Sequence, residues 1–273
     1  MIKFLAKGLI RDRSRSLFPL LTIIITVTLV IFGIGFMEGA MNNFLQSTAV
    51  ISSGHVKVVT KAYEKESSQL PNDLALFETN KIIQNLSDLY PNYFWTPRIT
   101  FGGLLDTPNE DGETKEQGPV FGIGIDFHSK TSRQIEIWEL EKYLLHGNLP
   151  KNANDALIST KLAKQLSVNV GSTVTLISTT MDNAFTTYNF EITGIFNLNK
   201  GQVDRQMMLV DISGARQALG MEGAASEILG YHQSLYYNDN EATSMRTSFN
   251  LTISDSITKV LRDEASYDAL SYM

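Results

Sequence analysis

The 273-residue chain is 43% hydrophobic and 19% charged, and it has no cysteine. This composition is globular and excludes collagen-like, disordered and disulfide-scaffold classes. Without a thiol, a cysteine nucleophile, a Cys-ligated zinc and an iron–sulfur cluster are excluded as well. The net charge of −6 is uneven, because residues 1–16 hold five bases and one acid while the remainder is acidic. An acidic body argues against nucleic acid as a partner.

Residues 1–16 are read as a cytoplasmic amphipathic helix. Ile2, Leu5, Ala6, Leu9 and Ile10 fall on one side, and Lys3, Lys7, Arg11 and Arg15 on the other. That pattern suits a helix lying on an anionic inner leaflet; topology-setting charge alone is the alternative. Residues 17–37 then run 21 residues without a charge. As a helix they extend about 31 Å, matching a hydrocarbon core of roughly 30 Å. Thr22, Thr26 and Thr28 are expected to return their hydroxyls to helix carbonyls, and Pro19 is placed in the first turn. A signal peptide has a shorter apolar region and a small-residue cleavage site. A core helix rarely runs so far without polar relief. The segment therefore predicts an uncleaved transmembrane helix, with a lipid bilayer as partner. Five bases precede it and Glu38 is the first charge after it, so the N-terminus is expected in the cytoplasm and the rest outside. In a bacterium, this is the inner membrane and the periplasm. Gly35 and Gly39 form a lone GxxxG, a weak packing signal.

Residues 38–53 lack a strong breaker after Gly39 and predict a helical stalk. From Gly54 the pattern changes. His55–Thr60 reads as a strand, and residues 79–90 as a helix capped by Thr79 or Asn80, with Ile82, Ile83, Leu86 and Leu89 inward. Tyr93–Leu105 and Pro119–Asp126 predict a hairpin with a long, mobile, acidic tip. Arg133–Leu145 reads as a helix stopped by Gly147. Short strands are expected at Ala156–Ile158, Thr173–Thr179, Tyr188–Phe196, Met207–Val210 and Glu227–Tyr231, with a turn near Asn183. Helices are expected at Ser159–Leu166 and Ile212–Leu219. Residues 232–256 carry no clear pattern, and 257–273 fit helix or strand. Without regular βαβ alternation the fold class is α+β, a single N-terminal transmembrane helix followed by a mixed extracytoplasmic domain over 54–273. A break near Gly147–Asp155 suggests two subdomains.

No catalytic, cofactor-binding or metal-binding residue is predicted. HExxH and GxSxG are absent. Gly194–Lys200 imitates a phosphate loop, but Asn199 replaces the required glycine and Gly201 the Ser or Thr. His55, His128, His146 and His232 are scattered, without an i,i+4 pair. Gly122-Ile-Gly-Ile-Asp126 lacks the third glycine of a dinucleotide site and is read as permitting close backbone packing. Asn85 and Asn250 begin chance sequons.

Several segments together resemble one family. They are Ser53-Gly-His-Val-Lys-Val58, Gly122–Asp126, Ala156-Leu-Ile-Ser-Thr-Lys-Leu-Ala163, Leu166–Gly171, Ile192-Thr-Gly-Ile-Phe196, Asp204 and Val210-Asp211. Their order is similar to the periplasmic core domain of MacB-like ABC transporter permeases, the group that includes the lipoprotein-releasing LolC and LolE. The family often has Gly-Asp where this chain has Gly171-Ser172. Its members continue into three further spans of an FtsX-like domain, so the chain is expected to be the N-terminal part of a permease. The resemblance implies a non-enzymatic subunit, a cytoplasmic ABC ATPase partner and a second permease subunit as homo- or heterodimer. It further implies mechanotransmission toward a lipoprotein, lipid, peptide or drug cargo, or a periplasmic partner protein. It also implies a porter-like part and a sabre-like part, the latter placed at 147–225. The competing reading is a membrane-anchored extracytoplasmic sensor or binding domain.

Overall fold

The computed structural model describes residues 13–109, 113–129, 132–198, 205–260 and 267–270. The cationic helix expected over 1–16 lies almost wholly outside them. Helix α1, Arg13–Thr48, is 36 residues long. Its stretch Leu17–Phe44 is long and apolar enough to cross a membrane, and none of it is buried within the protein. Thr22 and Thr26 donate their hydroxyls to the carbonyls of Phe18 and Thr22, at 2.9 and 2.7 Å. These bonds satisfy the only hydrogen-bonding groups those side chains bring into an apolar surface. Pro19 departs from expectation, because it sits inside the helix rather than in its first turn. The helix starts at or before Arg13, so the proline deprives the Arg15 carbonyl of its usual amide donor. Residues Ala49–Ser53 continue the run as a π-helical turn.

Thr48–Met273 forms one compact unit. Its elements are β1 (Val56–Thr60), α2 (Lys61–Glu66), α3 (Thr79–Leu89), β2 (Tyr93–Pro108), β3 (Thr114–Ile125), α4 (Gln134–Ile137), α5 (Leu140–Tyr143), β4 (Leu144–Gly147), β5 (Asp155–Ser159), α6 (Thr160–Gln165), β6 (Thr173–Thr179), β7 (Phe185–Phe196), β8 (Met207–Asp211), α7 (Ile212–Leu219), β9 (Glu227–His232), α8 (Asp239–Val260) and β10 (Tyr267–Leu270).

Six of the strands close on themselves. β2 pairs antiparallel with β3, β3 parallel with β8, and β8 antiparallel with β5. β5 pairs parallel with β7, β7 antiparallel with β6, and β6 antiparallel with β2. The ring is a barrel, whose closure removes edges that would otherwise template aggregation. Its interior is filled by Ile99, Phe101, Leu105, Ala156, Ile158, Leu176, Phe190 and Val210, all buried. Helices α6 and α7 add Leu162, Leu166, Ala215 and Leu219 to the same core. A second core covers the outer side of the ring, where Ile123, Ile125, Leu157 and Leu209 meet Trp138, Leu140 and Tyr231.

The remaining strands extend from β2. Its first half pairs with β9 through Tyr93↔His232 to Arg98↔Glu227. β9 pairs with β1, and β1 with β10, all antiparallel. The strands inside 147–225 form no separate sheet: β6 hydrogen-bonds to β2 and β8 to β3.

Three local expectations are corrected. α3 is capped by Glu78 in a left-handed conformation, while Thr79 spends its hydroxyl and amide on the Gly223 carbonyl. Leu89 is exposed, leaving Leu86 as the fully buried member of that face. The helix expected over Arg133–Leu145 is two single turns and a strand. Glu139 is left-handed (φ 49°), which breaks the helical ladder, and Leu144 is drawn into pairing with Phe196. The hairpin expected from β2 and β3 is present and longer than predicted, reaching Pro108 and Thr114. Residues 110–112 of its tip lie outside the described residues.

Gly122 faces the interior directly opposite Phe101. A Cβ there would stand 2.1 Å from the Phe101 ring, and one on Gly124 2.6 Å from the Ala215 Cβ. The two glycines therefore serve close packing. Gly122→Ala should lower stability by about 1–3 kcal/mol through overpacking. Adding Phe101→Leu should recover part of that loss, as read from urea midpoints of the single and double variants.

Candidate functional site

The chain passes from helix to strand over two residues, Gly54 and His55. Gly54 takes φ 69°, the left-handed region. A Cβ at that position would stand 2.9 Å from the Val56 carbonyl oxygen and 3.2 Å from the Leu229 Cβ. His55 comes next, and its amide donates to the Gly230 carbonyl at 3.0 Å. Ala49, Ser53 and His55 are all buried. No slack linker separates the π turn from β1.

A buried ion cluster lies against this junction. Glu227 of β9 is the direct cross-strand partner of Arg98 on β2. Lys57 of β1 stands opposite Leu229, which makes Glu227 its diagonal neighbour on the same face. Lys57 Nζ donates to Glu227 Oε1 at 2.8 Å. Arg98 donates to Glu227 Oε2 through Nε at 3.0 Å and through Nη2. The third nitrogen of the guanidinium, Nη1, donates to the Ile51 carbonyl of the π turn at 2.9 Å. The Lys57, Arg98 and Glu227 side chains are 9%, 4% and 6% exposed. Burial pushes the Glu227 carboxyl up, but Arg98 and then Lys57 outweigh it and hold the group below its ordinary 4.5. Burial likewise pulls Arg98 down, and Glu227 more than restores it. Glu227 and Arg98 are thus held in their charged forms, which a buried pair requires if it is to repay desolvation.

Two histidines meet beside it. The His232 amide donates to His55 Nδ1 at 3.0 Å, so the neutral His55 ring carries its proton on Nε2. That nitrogen is buried without a hydrogen-bond partner. The rings of Tyr231 and Tyr237 stand edge-on to the imidazole, at 5.6 and 5.9 Å. Burial, and then the nearby His232, lower the His55 pKa to about 4.

The motifs singled out in the sequence resolve as structural parts. Asp126 ends β3 as a turn cap, its Oδ1 accepting from the amides of His128 and Ser129 at 3.0 and 2.7 Å. Gly194 is inside β7 with Leu144 and Leu157 closing on it, and Asn199 and Lys200 lie outside the described residues. His128 reaches Asp211 at 3.5 Å, and His146 is an exposed residue of β4. Among the described residues no group of three or more His, Asp or Glu side chains is placed to hold a metal ion. The sequence reading overlooked Lys57, Arg98 and Glu227 as a group. The available signal was Arg98 itself, a charge in the middle of the apolar run Phe94–Phe101.

A family model described as the MacB-like periplasmic core domain matches residues 16–270. No curated protein matches the chain. Among solved structures, the chain is similar to the periplasmic region of MacB from Actinobacillus actinomycetemcomitans. That likeness has 11% identity and a TM-score of 0.47, covering 81% of this chain and 93% of that one. It is also similar to a domain described as belonging to a permease protein from Porphyromonas gingivalis. There the identity is 15% and the TM-score 0.46, over 80% of this chain and 88% of that one.

The lowered His55 pKa makes stability depend on pH with a definite sign. The folded state prefers the neutral ring, so the contribution is complete above the unfolded value of 6.5 and is lost as pH falls toward about 4. A shift of this size corresponds to roughly 3 kcal/mol. Urea midpoints should therefore fall between pH 6.5 and 4 in the native chain. His55→Gln should flatten that window. That flattening should hold down to 4.5, below which the loss tied to Glu227 should remain in the variant.

Proposed function

Because the chain belongs to the MacB-like periplasmic core domain family, we propose that it is the N-terminal part of a permease subunit of a MacB- or LolCDE-type ABC transporter. One observation carries this reading. The family match spans residues 16–270, and the same chain opens with a helix, Leu17–Phe44, apolar enough to cross a membrane. In this reading α1 spans the inner membrane of a bacterium with its N-terminus in the cytoplasm. The domain after it works in the periplasm on a lipoprotein or other cargo. A separate cytoplasmic ATPase supplies the energy, a second permease subunit completes the pair, and this chain performs no chemistry of its own.

Residues 38–53 act as the stalk. Their support is a backbone that stays helical as α1 to Thr48 and as the π turn through Ser53. The porter-like and sabre-like parts, with the latter at 147–225, are a division of the chain rather than of the sheet. Mechanotransmission is the coupling mode: stiff helix, short junction, then strand.

Topology is directly testable because the chain has no native cysteine. In intact cells a cysteine at Ser14 should resist a membrane-impermeant maleimide, and one at the exposed Ser68 should react. Reaction at Ser14 alone would reverse the orientation.

Coupling has its own test. Two glycines inserted after Gln46 weaken the helix by roughly 1 kcal/mol each relative to Ala and rotate the residues downstream by about 200°. In the complete transporter, ATP hydrolysis should persist while transport falls strongly. Full transport by the insertion variant would favour a passive tether and reject the stalk.

A further inference from the structure

The last helical turn and the sheet are joined by an unusual choice of chemistry. The π turn leaves the Ile51 carbonyl to Arg98 Nη1, at 2.9 Å. The same guanidinium rests on Glu227, and Glu227 Oε1 accepts from Lys57. One carboxylate therefore ties β1, β9 and β2 to the exit of the helical run. Stability alone does not call for this arrangement, since a buried ion triad is often matched or bettered by apolar side chains of similar volume. Apolar packing, however, is non-directional, whereas a planar guanidinium fixes the angle and distance of every acceptor it binds. Gly54 and His55 leave no slack between the turn and β1. Displacing the turn would otherwise load β1 alone, the neighbour of β9.

We propose that Arg98, held by Glu227 and Lys57, is a positioning residue for transport: it clamps the Ile51 carbonyl so that displacement of the helix reaches β9 and β2 together with β1. The geometry of the clamp stands independently, and its role in transport rests on the transporter reading.

The test uses two variants. Arg98→Lys keeps a cation for Glu227 but loses the planar fork whose separate nitrogens reach the carboxylate and the Ile51 carbonyl from fixed positions. Lys57→Met/Arg98→Met/Glu227→Leu removes every charge and keeps the volume, which guards against simple unfolding. Hydrogen exchange of the chain in phosphatidylethanolamine–phosphatidylglycerol nanodiscs reads the clamp. In both variants amides of residues 51–55 should exchange about ten-fold faster or more, the effect of losing one hydrogen bond to a charged group. Amides of Glu227–His232 and of Ile99–Leu105 should keep their protection. Unchanged exchange at 51–55 in a folded variant overturns the clamp.

The transport role is read in the complete permease assembled with its ATPase, with ATP as the only ligand added. ATP should alter exchange in β9 of the native complex. In both variants that response should vanish while ATP hydrolysis continues. A native-size response in the variants overturns the positioning role and leaves the clamp a local brace. Absence of the response in the native complex overturns the transporter reading, and the coupling role with it. The exchange at 51–55 still decides the clamp.

Discussion

A single strand, β2, serves two sheets, and the rest of the outer domain is arranged around that fact. Residues 99–108 pair with β3 inside the closed ring, while residues 93–98 pair with β9 in the open sheet. The switch falls between Arg98 and Ile99. On one side of it a side chain points into an apolar barrel; on the other, a guanidinium is buried against a carboxylate. A strand of 16 residues is long by ordinary standards. Here its length lets one backbone carry the register of both halves. β3 cannot shift against β2 by one residue without moving Gly122 away from Phe101, nor β9 without parting Glu227 from Arg98.

The junction beside that strand shows how burial and charge divide the work. Removing Lys57, Arg98 and Glu227 from water costs several kcal/mol per ion, and their mutual attraction returns that only if the geometry is held. The cross-strand register supplies it, because Arg98 and Glu227 are direct partners and Lys57 is one diagonal step away. His55, one residue after Gly54, obeys the opposite logic and stays neutral because burial, and then the nearby His232, disfavour the charged ring. Two buried titratable groups beside the same junction are thus held apart in charge, Glu227 ionised by its cationic partners and His55 neutral by burial.

Much of this was legible in the sequence. The apolar run of α1, the alternation in β6 and the apolar stripe of α7 are each local, and the strand Thr173–Thr179 and the helix Ile212–Leu219 have the expected limits. The α+β class and the permease-type domain were legible as well. The misreadings share one cause, which is a distant partner overriding a local preference. Thr79 is a good cap, but Gly223 claims it. Leu144 continues a helical pattern, but β7 claims it. Closure of the ring could not be seen at all, since it depends on three paired positions of β2 and β6 some 70 residues apart. The ion cluster was hidden for the same reason. Lys57 in an alternating strand reads as a solvent-facing residue until β9 is placed beside it.

The pairing of β1 also bears on how the chain is made. β1 is complete at Thr60, yet β9 does not begin until Glu227, and the Lys57–Glu227 bond spans 170 positions of sequence. A ribosome adding roughly 5–20 residues per second needs on the order of ten seconds or more to cover that distance. For all of that time Val-Lys-Val-Val-Thr is a bare β-branched segment with both ladder edges open. Lys57, the residue later buried as a salt-bridge partner, is then the one charge that keeps this segment from pairing with a neighbouring nascent chain.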